Sequence, residues 1–91
     1  MSQQAIVNPD ELEQFAHSLS NFNAQLRENM ARLQGQFQRL GDTWQDQEQS
    51  KFAQEFEQTM RVLHQFNHTS DAHIPFLLRK AQSAREYLNQ R

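Results

Sequence analysis

The histidines in the second half of the chain are the residues best suited to chemistry. His64 and His68 are four residues apart, which on a helix places both imidazoles on one face, at a spacing that zinc or copper can use. Asp71 and His73 follow within about one further turn. The segment lacks the glutamate that completes the zinc-protease helix motif, and a solvated histidine is the commoner state. His64 and His68 are therefore weak candidate ligands, and we predict neither a metal nor another cofactor.

A second possibility is a response to pH. His73 and Ser70 fall in or beside an apolar stripe, and protonating a half-buried imidazole near pH 6 carries a desolvation cost. Polar residues in such a stripe more often fix the register of two helices. The sequence favours the structural interpretation and leaves the pH response open.

Features of an enzyme are absent from the sequence. The chain has two glycines and no cysteine, and it contains no glycine-rich phosphate loop and no serine in a nucleophile-elbow context. A thin pair of helices also offers no concave pocket that could hold two carboxylates. We therefore predict that the protein is not an enzyme.

Composition limits the remaining classes of function. The 91 residues are 36% hydrophobic and 22% charged, which is typical of one soluble domain, here residues 1–91. The net charge is -2 and no basic cluster occurs, so no nucleic-acid partner is expected. No apolar stretch approaches the roughly 20 residues of a membrane span, so membrane insertion is not expected either. Residues 1–4 do not resemble the start of a signal peptide.

The first helix is predicted at about 9–40. Asn8 is a suitable N-cap, Pro9 suits the first helical position, and Glu11 lies in the acidic first turn. Apolar residues then recur every three or four positions, as one face of a helix requires. This stripe consists of Leu12, Phe15, Leu19, Phe22, Leu26, Met30, Leu33, Phe37 and Leu40. Gly35 lies inside the predicted helix, where glycine is destabilising relative to alanine. Its presence suggests that another backbone passes close to it.

The chain is expected to reverse at residues 41–45. Gly41 suits a left-handed helix cap, and Asp42 and Thr43 offer N-caps for a second helix at about 46–89. Pro75 should kink or break that helix. The stripe of the second helix includes Phe52, Phe56, Met60, Leu63, Phe66 and Leu77.

A short connection forces neighbouring helices to run antiparallel, so the predicted fold is an all-α two-helix hairpin. Each helix of a lone pair can cover only one side of the other. We therefore expect two hairpins to dimerise into a four-helix bundle, with the two stripes as the hairpin and dimer core. Trp44 is expected to plug the open end of the hairpin, and a docking role for this indole is the alternative.

The segment from Leu40 to Phe52 resembles the bend of the WXG family, the hundred-residue ESAT-like helical hairpins of type VII secretion. Trp44 lies in the turn and an aromatic residue, Phe52, follows eight positions later, and the chain length also agrees. Gly41 precedes the motif, and the family's glycine two places after the tryptophan is Asp46 here. An acidic side chain suits the first turn of a helix, so Asp46 is compatible with the bend.

The resemblance implies a secretion substrate or export partner that acts through protein contacts as a dimer, with either an identical chain or a paired paralogue. It also implies secretion without a signal peptide. The export motif of mycobacterial-type members is a tyrosine followed four residues later by an acidic residue, whereas Tyr87 is followed by Arg91. The alternative is a cytoplasmic helical adaptor or assembly subunit without a transport role.

Overall fold

The computed structural model describes residues 7–90 as a hairpin of two long antiparallel helices. Helix α1 spans Pro9–Leu40 and helix α2 spans Gln47–Asn89. The hairpin measures 67 × 26 × 15 Å, so it is only about one helix diameter thick. The predicted all-α hairpin is confirmed, whereas the N-terminal segment considered for a signal peptide and Arg91 lie outside the described residues.

Helix α1 begins as the sequence predicts. Asn8 has extended backbone angles, and its Oδ1 accepts hydrogen bonds from the backbone N–H groups of Asp10 at 2.9 Å and Glu11 at 3.1 Å. Pro9 occupies the first helical position, where its missing N–H would have had no partner in the helix. The start of α1 is therefore specified locally.

The expected left-handed cap at Gly41 is wrong. Gly41 has φ −62° and ψ −17°, in the right-handed helical region, and its N–H donates to the carbonyls of Phe37 and Gln38. The next hydrogen bonds join Asp42 to Arg39 and Thr43 to Leu40, so a tighter helical turn continues past the end of α1.

The N-cap of α2 is Asp46, not Asp42 or Thr43 as the sequence suggests. Asp46 is extended, with φ −98° and ψ −173°, and its Oδ1 accepts the N–H of Gln49 at 2.9 Å. The chain must leave the helical region before a cap can form, and it does so only after the turn at residues 41–43.

Helix α2 continues without a break through Pro75, so the broken form of the second helix is wrong. Just before the proline, the Ser70 hydroxyl donates to the carbonyl of Phe66 at 2.8 Å. Side-chain bonds of this kind often bend a helix while leaving it continuous.

The interior of the hairpin is a narrow seam with a seven-residue repeat. On α1 the buried residues are Pro9, Ala16, Asn23 and Met30. On α2 they are Met60, Asn67, Ser70 and Ala81. A repeat of seven keeps one line of residues facing the partner helix, as in a coiled coil. The seam is thus partly small and partly polar, and it buries few large apolar side chains.

No other backbone explains Gly35. Among the described residues outside its own helical turns, a Cβ at this position would meet only the Arg39 side chain, at 3.7 Å, which is an ordinary contact. No backbone of the hairpin itself approaches Gly35, so within the described chain the glycine imposes its helical cost without a packing benefit.

Replacing Gly35 with alanine should stabilise the hairpin. We expect Gly35→Ala to raise the free energy of unfolding by about 0.5–1 kcal/mol, because alanine loses less backbone entropy in a helix and has space for its methyl group. Chemical denaturation followed by circular dichroism measures the change. Gln36→Ala is the control and should change stability by less than about 0.5 kcal/mol. A loss of stability in Gly35→Ala would show that the position is crowded.

Candidate functional site

One side of the hairpin carries a row of exposed apolar side chains that we call the aromatic face. Its members are Phe15, Phe22, Leu33, Leu40, Phe52, Phe66 and Tyr87, each 45% to 63% exposed. On both helices these residues flank the seam on the same rotational side, and in an antiparallel pair matching flanks meet. The aromatic face therefore follows the long axis of the hairpin.

Ring contacts connect the two helices across this face. The rings of Phe22 and Phe66 meet edge to face at 6.4 Å between centroids. Nearer the bend, Phe37 lies 4.7 Å from Phe56 and 5.6 Å from Phe52. Aromatic pairs at such separations add roughly 0.5–1.5 kcal/mol beyond the area they bury. They stabilise the hairpin and leave their outer surfaces exposed.

A groove of about 740 Å³ opens on the aromatic face beside the bend. Its walls are mainly apolar, with few polar groups at the edge. The lining residues are Leu33, Gln36, Phe37, Leu40, Phe52, Glu55, Phe56, Thr59, Met60 and Leu63. A groove of this composition suits apolar side chains from another protein.

The residues predicted as core divide into three groups in the hairpin. Met30 and Met60 are buried in the seam. Those at the edge of the seam are half-buried, namely Leu12, Leu19, Leu26, Phe37, Phe56, Leu63 and Leu77. Those on the aromatic face are exposed, namely Phe15, Phe22, Leu33, Leu40 and Phe66. The last group is thus outside the hairpin interior.

The opposite side of the seam is polar and carries ion pairs between the helices. Arg27 donates through Nη1 to both Asn67 Oδ1 and Asp71 Oδ2. Near the chain termini, Arg85 donates to Asp10 Oδ1 at 2.9 Å and to Glu13 Oε1 at 2.7 Å. These hydrogen bonds raise the pKa of the Arg85 guanidinium. The two faces of the hairpin therefore differ sharply in chemistry.

A polar layer crosses the middle of the seam. Asn23 is fully buried and donates through Nδ2 to Asp71 Oδ1 at 2.8 Å, and Asn67 donates through Nδ2 to the carbonyl oxygen of Asn23 at 2.9 Å. Asn23 Oδ1 is buried without a partner among the described residues. Any other alignment of the helices would leave more of these groups unpaired, so the layer sets the register.

The polar layer lowers the pKa of the Asp71 carboxyl. The hydrogen bond from Asn23 and the neighbouring Arg27 guanidinium lower the pKa of the Asp71 carboxyl below its ordinary value of 3.8, although partial burial opposes the change. Both partners favour the charged carboxylate. The ionised form of Asp71 is therefore the one that the folded hairpin stabilises.

The residues of the predicted bend motif meet at one end of the hairpin. Trp44 is half-buried and its ring lies 6.4 Å from that of Phe52. The backbone N–H of Trp44 donates to the carbonyl of Leu40 at 2.9 Å, which ties the tryptophan backbone to the last residue of α1. Asp46 follows as the cap of α2. The Trp44 indole thus lies beside Phe52, which is one of the residues that line the groove.

The candidate metal ligands lie on the outer surface of α2. His64 and His68 are exposed, and the structure brings no group of three histidine, cysteine, aspartate or glutamate side chains into metal-binding proximity within residues 7–90. His73 is also exposed, with Nδ1 3.0 Å from the carbonyl oxygen of Thr69. Ser70, by contrast, is buried.

Comparison with known families resolves the class of protein. The sequence profile of the WXG100 family, described as proteins of 100 residues with WXG, matches residues 4–87. The chain belongs to the WXG100 family. Neither a curated protein nor a solved structure matches the chain.

This WXG100 member departs from the motif that names its family. Asp46 replaces the glycine of the Trp-X-Gly triplet, and the structure gives this aspartate the role of helix cap. Because its side chain accepts the N–H of Gln49, Asp46 caps α2 better than a glycine would, by roughly a few tenths of a kcal/mol. None of the helices within residues 7–90 is long and apolar enough to cross a membrane.

Lowering the pH should lower the free energy of unfolding of the hairpin, partly because the Asp71 carboxylate becomes protonated. Since its pKa is lower in the folded chain, the carboxylate contributes stability above pH 3.8, and this contribution is lost as the pH falls through the folded value. We expect Asp71→Asn to be less stable than the native chain at pH 7, and the difference should shrink between about pH 5 and pH 3.

Urea denaturation across this pH range measures the effect. Glu57→Gln is the matched control, because Glu57 is an exposed carboxylate of the same helix with no hydrogen bond among the described residues. If the difference in free energy of unfolding between Asp71→Asn and the native chain did not change with pH, the charge of Asp71 would not be what stabilises the hairpin.

Proposed function

We propose that this WXG100 protein is a non-enzymatic interaction module that works as a dimer in a type VII secretion pathway, as a substrate or export partner. The aromatic face is the observation that carries the proposal. Seven large apolar side chains on one side of the hairpin remain about half exposed, and contiguous apolar patches of this kind mark protein contact sites.

A second hairpin is the occupant that we propose for the aromatic face. Helical hairpins with one apolar face pair readily into four-helix bundles. Covering the exposed half of one Leu or Phe side chain is worth about 1 kcal/mol. The groove beside Trp44 adds a recess that can take side chains from the second hairpin, and the polar side remains in water.

A cytoplasmic adaptor or assembly subunit is the second candidate. One observation favours it, namely that Tyr87 is followed four residues later by Arg91 and not by an acidic residue. Tyr87 itself is 63% exposed in the single hairpin and belongs to the aromatic face. Export and dimerisation therefore need separate tests.

A charge placed on the aromatic face should disrupt the dimer. We expect Phe22→Glu to weaken self-association at least about 100-fold, because a two-fold interface would bury the carboxylate twice. Light scattering and sedimentation equilibrium measure the mass. Ala24→Glu is the control, since Ala24 is exposed on the same helix and lies outside the aromatic face. A native chain that is monomeric at micromolar concentration would contradict the proposal.

Export can be tested by expressing the chain beside a working type VII system. We expect the protein in the culture medium, and its loss from the medium when the secretion ATPase is inactivated. Arg91→Glu should increase the secreted fraction if an acidic residue four places after Tyr87 strengthens export. Retention of all forms in cells that export their own substrates would favour the adaptor.

A further inference from the structure

The two halves of α1 carry complementary parts of the aromatic face. Phe15 and Phe22, in the first half, are 57% and 52% exposed. In the second half, Leu33 and Leu40 line the groove beside the bend. One half therefore projects two aromatic rings, and the other half borders a recess that apolar side chains can fill.

These four residues are also spaced symmetrically along the helix. Phe15 and Phe22 are seven residues apart, and so are Leu33 and Leu40, which is about 10 Å in each case. The pattern has its midpoint between residues 27 and 28. A second α1 that runs antiparallel about this midpoint places its Leu40 opposite Phe15. Phe22 then lies opposite Leu33 of the second copy, and two-fold symmetry forms each contact twice.

Symmetry also links the direction of the second hairpin to the helices that meet. Two identical hairpins with aligned long axes can pair through the same face in two ways. If they run antiparallel, α1 lies on α1 of the second copy, and if they run parallel, α1 lies on α2. A parallel pair would set groove against groove. Only the antiparallel pair brings the phenylalanines of one copy to the groove of the other.

The second helix fits the same axis. Arg27 donates to Asn67 Oδ1 at 3.1 Å, so residue 67 marks the level of the axis on α2. Phe66, its neighbour, is 46% exposed on the aromatic face. In the antiparallel pair Phe66 therefore lies close to Phe66 of the second copy, and an aromatic pair at the axis strengthens the contact.

We propose that the partner at the aromatic face is an identical copy, held antiparallel, whose Phe15 and Phe22 fill the groove beside the bend. The inference rests on the proposed function and deepens it, because it names the partner and the side chains that enter the groove. All the large apolar side chains that α1 exposes are matched within one sequence, so a paired paralogue is not required.

Distances between spin labels test the direction, because the native chain has no cysteine. Gln14→Cys and Glu28→Cys place labels at exposed positions two heptads apart on one face of α1, outside the aromatic face. With the axis between residues 27 and 28, the two Gln14→Cys labels of a dimer are separated by about 40 Å along the helix, and the two Glu28→Cys labels by less than about 20 Å. A parallel dimer gives equal distances at the two positions.

An exchange of residue sizes tests which side chains enter the groove. Leu40→Phe should weaken self-association about tenfold, because two rings then occupy a space that fits one ring and one leucine. Adding Phe15→Leu should restore association, since the facing pair regains its combined volume. Adding Phe22→Leu in place of Phe15→Leu is the matched control and should not restore it.

Circular dichroism of each variant should match the native helix content, which separates loss of association from loss of the fold. Equal label distances at the two positions, or restoration by Phe22→Leu as complete as by Phe15→Leu, would overturn the inference. In either case a protein that is still dimeric leaves the proposed function intact, whereas a monomeric native chain contradicts both.

Discussion

Two helices packed side by side can shield each other along only one line, and this constraint governs the whole hairpin. The structure uses that line for residues spaced by seven, with Ala16 and Met30 on α1 and Met60 and Ala81 on α2. Small residues allow close approach of the two backbones, but they bury little apolar area. Most large apolar side chains therefore remain at the flanks, and the surface that is available for a partner is a direct result of the narrow seam.

The polar layer explains how such a thin interface still specifies one alignment. Asn23 and Asn67 occupy seam positions that an apolar residue would fill more favourably, and hydrogen bonds offset this cost for each of their side-chain groups except Asn23 Oδ1, which has no partner among the described residues. Their partners, Arg27 and Asp71, reach the layer from the polar side of the hairpin. Hydrogen bonds from the polar side thus fix the register of the two helices. The aromatic face takes no part in setting the register and is available to bind another chain.

The fold was predictable because its signals are local. Asn8 and Pro9 mark the start of α1, and the apolar repeat and short connection predict the hairpin. The bend was less predictable, since the turn at Gly41 and the cap at Asp46 depend on how the chain leaves α1. It was hardest to predict that Phe15 and Phe22 lie on the aromatic face and not in the seam. Spacings of three and four describe an apolar face about 100° wide, and they do not show which edge of that face meets the partner helix. The seven-residue spacing of Pro9, Ala16, Asn23 and Met30 would have identified the seam of α1. It is hard to recognise in the sequence, because Asn23 is not an apolar residue.

Size decides why Asn23 lies in the seam while Phe22, its neighbour, does not. A helix pair that placed Phe15 and Phe22 between the backbones would hold the helices apart and would lose the close contacts at Ala16. Rotating α1 toward Asn23 keeps the backbones close, and Phe22 can still meet Phe66 edge to face at the margin. The unburied outer surfaces of these rings cost the lone hairpin little, since they were already exposed in the unfolded chain. These ring surfaces add to stability only when a second apolar surface covers them. The rotation of α1 about its axis therefore determines both the close packing within one chain and the apolar surface that is available for association between chains.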